Sequence, residues 1–152
     1  MILVVDSVMR EIKFRGIDVT NQKHFVYGDL VHNQKVTVTG LEPRVMVGGY
    51  EVKEDTVGQF TGLCDKNGVE IYEGDIVVKY DLTFGLQYIG KVVYNSEIAC
   101  FRLHVEKDGY TSRHNFVASD TYNDVKCTVE CKYEYKVIGN RYDNKELLDN
   151  QK

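Results

Sequence analysis

The chain has 152 residues, with 19 basic and 23 acidic side chains and a net charge of −4. No basic tract offsets that balance, so general attraction to nucleic-acid phosphate is missing at the level of the whole chain, although a local patch stays open. The length suits one ordinary domain or two very small ones, with a core that needs no disulfide, and the first apolar run, Ile2–Val5, is too short for a signal-peptide core or a membrane span. A soluble cytoplasmic protein with no membrane partner is the expectation.

In chain order, residues 1–8 read as an extension ahead of the native start. The first strand opens after Met9, with Ile12, Phe14 and Gly16 alternating against Glu11, Lys13 and Arg15. Asp18–Lys23 is a polar turn, after which His24–Gly28 resumes strand character and Asp29–Val31 continues it, giving a hairpin. Val36 and Val38 alternate on one side of a loop at Gly40–Pro43, and Val45 and Val47 on the other. Gly48-Gly49 then breaks the run before Tyr50–Val52. Pro43 is the chain's single proline and marks a loop or a sheet edge.

The segment Thr56–Tyr80 organises the rest. Asp65-Lys66-Asn67-Gly68 sits between two alternating apolar runs, and Gly68 supplies the positive φ of a tight hairpin turn. Glu73-Gly74-Asp75 is a corner that sends Ile76, Val78 and Tyr80 to one face of the next strand and Val77 and Lys79 to the other. Gly58 and Gly62 lack the helix that a phosphate loop requires and read as strand bending or close backbone approach. Gly90–Tyr94 and Ala99–Val105 are further strands, with Asp108-Gly109 a hairpin turn. Residues 117–124 are turn-prone, Val125–Val129 and Tyr133–Ile138 are strands, and Asn144 caps a helical turn through Leu148. The fold class predicted is all-β: small SH3-like or β-barrel modules built from hairpins, divided into an N-terminal part (9–55) and a central and C-terminal part (56–152).

Four cysteines, Cys64, Cys100, Cys127 and Cys131, lack zinc-site spacing. Cys127 and Cys131 on one strand would stand roughly 13 Å apart. All four read as buried, unliganded side chains, with no metal and no cofactor expected. Glu70, Glu73 and Asp75 form an acidic cluster that suits a divalent cation or acid–base work. The preferred reading is a solvated rim in which Asp75 accepts turn amides. His24, His32, His104 and His114 are scattered with no nucleophile at a motif spacing, so no catalytic set emerges. Eleven tyrosines suit sheets and interfaces, while Tyr88, Lys91 and Tyr94 with Arg102 form a candidate base-stacking surface. Lys79, Lys91 and Lys136 are candidates for guarding sheet edges.

Met9–Arg15, Tyr27–Asp29, Gly58–Val77, Gly90–Val92 and Val137–Leu148 together resemble the YopX family of bacteriophage and prophage proteins, from Met9 over nearly the whole chain. The resemblance implies an all-β protein with barrel-like parts, carried by phages of Gram-positive bacteria and tending to form homo-oligomers. It implies no activity and no catalytic residues. The leading functional expectation is therefore a non-catalytic phage accessory protein that binds a host or phage protein as a homo-oligomer. The alternatives are a nucleic-acid-binding barrel using Tyr88, Lys91, Tyr94 and Arg102, and an enzyme or metal-binding protein using Glu70, Glu73 and Asp75.

Overall fold

The computed structural model describes residues 11–107, 110–115 and 133–149, and antiparallel strands make up most of them. They are β1 (Phe14–Ile17), β2 (Phe25–Gly28), β3 (Leu30–Thr37), β4 (Gly40–Val47), β5 (Tyr50–Glu51), β6 (Gly58–Cys64), β7 (Glu70–Tyr72), β8 (Asp75–Asp81), β9 (Leu86–Asn95), β10 (Cys100–Lys107), β11 (Tyr110–Asn115) and β12 (Tyr133–Asn140). A 3₁₀ turn at Glu54–Thr56 precedes β6, and helix α1 (Glu146–Asp149) follows β12. The all-β class and the short C-terminal helical turn are therefore as the sequence predicts. Asp108-Gly109, residues 1–8 and residues 117–129, with Cys127, lie outside the described residues, as does Cys131.

The strands form a first sheet ordered β2-β1-β6-β7, a second ordered β3-β4-β5 and a third ordered β11-β10-β9-β8-β12. The first sheet draws β1 and β2 from before residue 55 and β6 and β7 from after it. Val45, Val47 and Val52 make one core with Phe14, Val26, Leu30 and Val57, between the first two sheets. Ile71, Val77, Val92, Leu103, Val105 and Tyr135 make the larger core against the third sheet, with Tyr88, Phe101, Tyr133 and Val137 packed on it.

Two sequence expectations change in the N-terminal half. Gly28 and Asp29 do not continue one strand: β2 ends at Gly28 and β3 starts in another sheet at Leu30. The cause is a backbone crossing, since a Cβ on Gly28 would stand 2.7 Å from the Gly48 Cα. The loop expected at Gly40–Pro43 is strand, and the turn falls earlier, at Val38-Thr39. Pro43 faces Gln34 of β3, while β5 pairs only Met46 and Val47, so this stretch of β4 has an open second side, which suits a proline.

The central turns form as predicted. Gly68 has φ +80° and closes the β6–β7 hairpin, the Asp65 amide donating to the Val69 carbonyl at 2.7 Å. Gly62 (φ +88°) bends β6 where its register with β7 shifts between Phe60 and Cys64. At the corner, Gly74 has φ +87°, and bonding passes from one sheet to the next within two residues. The Glu73 amide donates to Gln59 of β6 and the Gly74 amide to Val92 of β9. The alternation read along β8 holds, but both of its faces are covered, so Lys79 is only 5% exposed and its ammonium lies 3.8 Å from the Tyr133 ring centroid. Lys79 and Lys91 sit on interior strands rather than guarding edges; Lys136 is on the terminal strand β12.

The C-terminal run closes the molecule on itself. The Arg141 amide donates to Gly74, and the Arg141 guanidinium and Tyr142 hydroxyl both donate to the Asp55 carbonyl. The Asn144 side chain does not cap α1; its Oδ1 accepts from the Asn140 amide, and its backbone carbonyl accepts from Leu147. Cys64 is exposed and Cys100 half-buried, against the expectation of burial, because both lie at strand ends. A Val at position 74 would carry a β-branched side chain at φ +87°, and Arg141 lies 3.5 Å from the Cβ position. We expect Gly74→Val to cost about 1–3 kcal/mol, read as a lower denaturant midpoint; an unchanged midpoint would refute the corner assignment.

Candidate functional site

Two carboxylates of the acidic cluster, Glu70 and Asp75, are taken up by Lys13, which directly precedes β1, and by Arg15 of β1. Alternation along β1 puts Lys13 and Arg15 on one face of the first sheet, beside Glu70 and Tyr72 of β7. Arg15 Nη2 lies 2.7 Å from Asp75 Oδ1, with the two side chains 7% and 3% exposed, and also donates to the Glu73 carbonyl at 3.2 Å. Asp75 Oδ2 accepts from the Tyr72 amide at 2.8 Å. The guanidinium packs on the Phe25 and Tyr72 rings, 4.3 and 5.0 Å from their centroids. A glycine at 58 is required here, because a Cβ would stand 2.5 Å from the Glu73 carbonyl oxygen.

Asp75 thus accepts a turn amide as expected, but the solvated rim is a correction: the carboxylate is buried against a guanidinium. Burial pushes the Asp75 carboxyl upward, against the pull of Arg15 and the Tyr72 amide. Glu70 pairs with Lys13 and accepts from the Tyr72 hydroxyl at 2.8 Å. The Lys13 hydrogen bond holds Glu70 below the usual carboxylate range and reciprocally raises Lys13, while burial and then Glu70 push the Tyr72 phenol well up. The three groups hold one another in fixed protonation states at neutral pH. Among the described residues no group of three or more His, Cys, Asp or Glu side chains is placed to hold a metal ion.

Asp65 does comparable work at the hairpin turn. Its Oδ1 accepts from the Asn67 and Val69 amides at 2.7 and 3.0 Å, and its Oδ2 from the Val137 amide of β12 at 3.1 Å. The Lys66 amide donates to Tyr135, so the turn closes part of the open edge of β12. Burial would raise the Asp65 carboxyl, but the Val137, Val69 and Asn67 amides together hold it below its ordinary value.

The candidate binding residues Tyr88, Lys91, Tyr94 and Arg102 divide between two faces. Tyr88 and Tyr94 share a face with Val92; Tyr88 packs on the large core, and exposed Tyr94 stands edge-on to Phe101 at 5.3 Å. Lys91 points oppositely, and its register partner on β10 is His104, two residues from Arg102 and on the same side. Lys91, His104 and Glu106 line a cleft of about 240 Å³ with Lys145, Leu148 and Asp149 beside α1, and His104 pairs with Glu106 at 3.1 Å. Sequence reasoning did not single out Lys145, and its only signal was a lysine preceding the helical turn.

A second missed feature is the β3–β4 arm. Val36 faces Leu41 across the ribbon, and Val36, Val38 and Leu41 are 84%, 106% and 64% exposed. The alternation that marks a buried strand is present there, but no other element covers it among the described residues.

The profile described as "YopX protein" matches residues 13–149. The chain belongs to the YopX family. No curated protein matches it. The crystal structure of protein EF1440 from Enterococcus faecalis is similar to this YopX-family chain at 24% identity and a TM-score of 0.42, covering 91% of this chain and 98% of that one. Among the described residues no helix is long and apolar enough to cross a membrane. Within this YopX-family protein the most demanding contact is the Arg15–Asp75 pair. Arg15→Met leaves a buried carboxylate unpaired, and we expect a loss of about 3–5 kcal/mol, partly recovered in Arg15→Met/Asp75→Asn. Equilibrium unfolding measures both, and a loss under about 1 kcal/mol in Arg15→Met would contradict the assignment.

Proposed function

We propose that this YopX-family protein is a non-catalytic accessory protein encoded by a phage or prophage. It acts in the host cytoplasm as a homo-oligomer that binds a host or phage protein. The observation that supports this reading is the β3–β4 arm: a two-stranded ribbon whose free end exposes apolar side chains from both strands is marginal by itself, and burial against another chain stabilises it. Of its cations, Lys35 is paired with Glu51 and Arg44 donates to Asn33, and the arm carries no cluster of cations of the kind a polyanion would need. The non-catalytic part is supported by Lys13, Glu70 and Tyr72, which hold each other away from titration near neutral pH, and by the burial of Asp75.

A second reading, nucleic-acid binding, is favoured by Lys91, Arg102 and His104 lying on one face of the third sheet, with Lys145 beside them. Against it stand Glu106 and Asp149 in the same cleft and the net charge of −4. Light scattering over a wide dilution range tests the leading reading. A mass that is a multiple of the chain's, reduced by Val36→Lys/Leu41→Lys, is the expected result; a monomer at every concentration would overturn it. Salt-sensitive retention of labelled DNA or RNA would favour the second reading.

A further inference from the structure

The β6–β7 turn carries a chemical feature that neither the fold nor the proposed function uses. Asn67 is followed by Gly68, and no other asparagine in the chain precedes a glycine. Both residues are exposed, and the space where a Gly68 Cβ would stand is open to 4 Å. The Asn67 side-chain amide has no hydrogen-bond partner among the described residues; only its backbone amide is engaged, with Asp65. The other described asparagines contrast with it. Asn95 is followed by the small Ser96, but its Oδ1 accepts from the Glu97 amide at 3.0 Å; the Asn33, Asn140 and Asn144 side chains are also bonded, and Asn21 precedes the bulkier Gln22.

We propose that Asn67 is a site of spontaneous backbone modification that releases the edge of β12. The Gly68 backbone nitrogen attacks Asn67 Cγ, forming an N–Cγ bond as the Cγ–Nδ2 bond breaks. The Gly68 proton leaves with the departing nitrogen as ammonia, and a five-membered succinimide remains. Glycine permits this because no side chain shields its nitrogen. The hydrogen bond to be opened first is that from the Gly68 amide to the Asp65 carbonyl, at 3.0 Å, within the turn itself. Water then opens the ring at either carbonyl: attack at Cγ gives aspartate, and attack at the main-chain carbonyl gives isoaspartate, in which the backbone runs through Cγ and is one methylene longer.

That methylene enters the segment whose amides Asp65 gathers. Asn67 and Val69 donate to one Asp65 oxygen while the other holds Val137, so lengthening the chain between residues 67 and 69 displaces the carboxylate that spans them. The new carboxylate also lies two residues from Asp65, and like charges at that range repel. Asp65 then loses its grip on the Val137 amide, and this part of the β12 edge opens.

The test is incubation of the folded, full-length protein in mildly alkaline buffer. It is followed by peptide mapping with fragmentation that separates aspartate from isoaspartate, and by amide hydrogen exchange at Val137. Asn67 should convert several-fold faster than Asn95, with isoaspartate exceeding aspartate, and Val137 should lose protection in step with conversion. Asn67→Ser, which keeps a short polar residue in the turn, should hold its Val137 protection through the same incubation. Conversion of Asn67 no faster than that of Asn95, or no conversion at all, would overturn the site. Isoaspartate at 67 with Val137 protection unchanged, or an equal loss of protection in Asn67→Ser, would overturn the release of β12.

Discussion

A guanidinium from the first sheet is buried against a carboxylate at the first position of the third. Arg15 belongs to β1, Asp75 begins β8, and the Tyr72 amide and Glu73 carbonyl that complete the arrangement belong to the corner between them. Neither charge has water to fall back on, so each is tolerated only while the other is in place. The same contact dictates its surroundings. Gly58 gives the Glu73 carbonyl room, Phe25 and Tyr72 flank the guanidinium, and Gly74 turns the chain into the third sheet. Remote chain segments are thereby held in one geometry by directional bonds, where apolar packing alone would allow sliding.

Asp65 repeats this logic with backbone donors. One carboxylate holds two amides of its own turn and one of β12, coupling a local hairpin to the last strand of the third sheet. With the Arg141 and Tyr142 bonds to Asp55, the C-terminal run is tied to the middle of the chain within β12, at Val137, and just past its end. Among the described residues, the end of the β3–β4 arm beyond Lys35 has no such tie, and its exposed valines and leucine are the surface on which the proposed assembly rests.

The turn at Gly68 and the corner at Gly74 were legible because their chemistry is local: a residue able to take positive φ sits between two alternating runs. The partner of Asp75 was not, since Arg15 lies far away in sequence and alternates with Phe14 just as a solvent-facing residue would. Lys79 misled for a related reason, because alternation gives the direction of a side chain but not whether something covers it. On β8 both faces are covered and the lysine is buried under Tyr133; at the end of the β3–β4 ribbon the alternating Val36 and Val38, with Leu41, are bare, while Val45 and Val47 of the same ribbon are buried. The separation of Lys91 from Tyr88 and Tyr94 follows from strand parity and was available in the sequence, whereas the side Arg102 takes depends on the β9–β10 register.

The central claim is that the Arg15–Asp75 contact makes the first and third sheets one cooperative unit. Native-state hydrogen exchange of the β1 and β8 amides under increasing denaturant tests it most directly, in the wild type and in Asp75→Asn. The account predicts that the Ile17 and Val77 amides of the wild type open together with one denaturant dependence, and that in Asp75→Asn Ile17 opens first. Separate opening of the two in the wild type, or joint opening undiminished in Asp75→Asn, would contradict it.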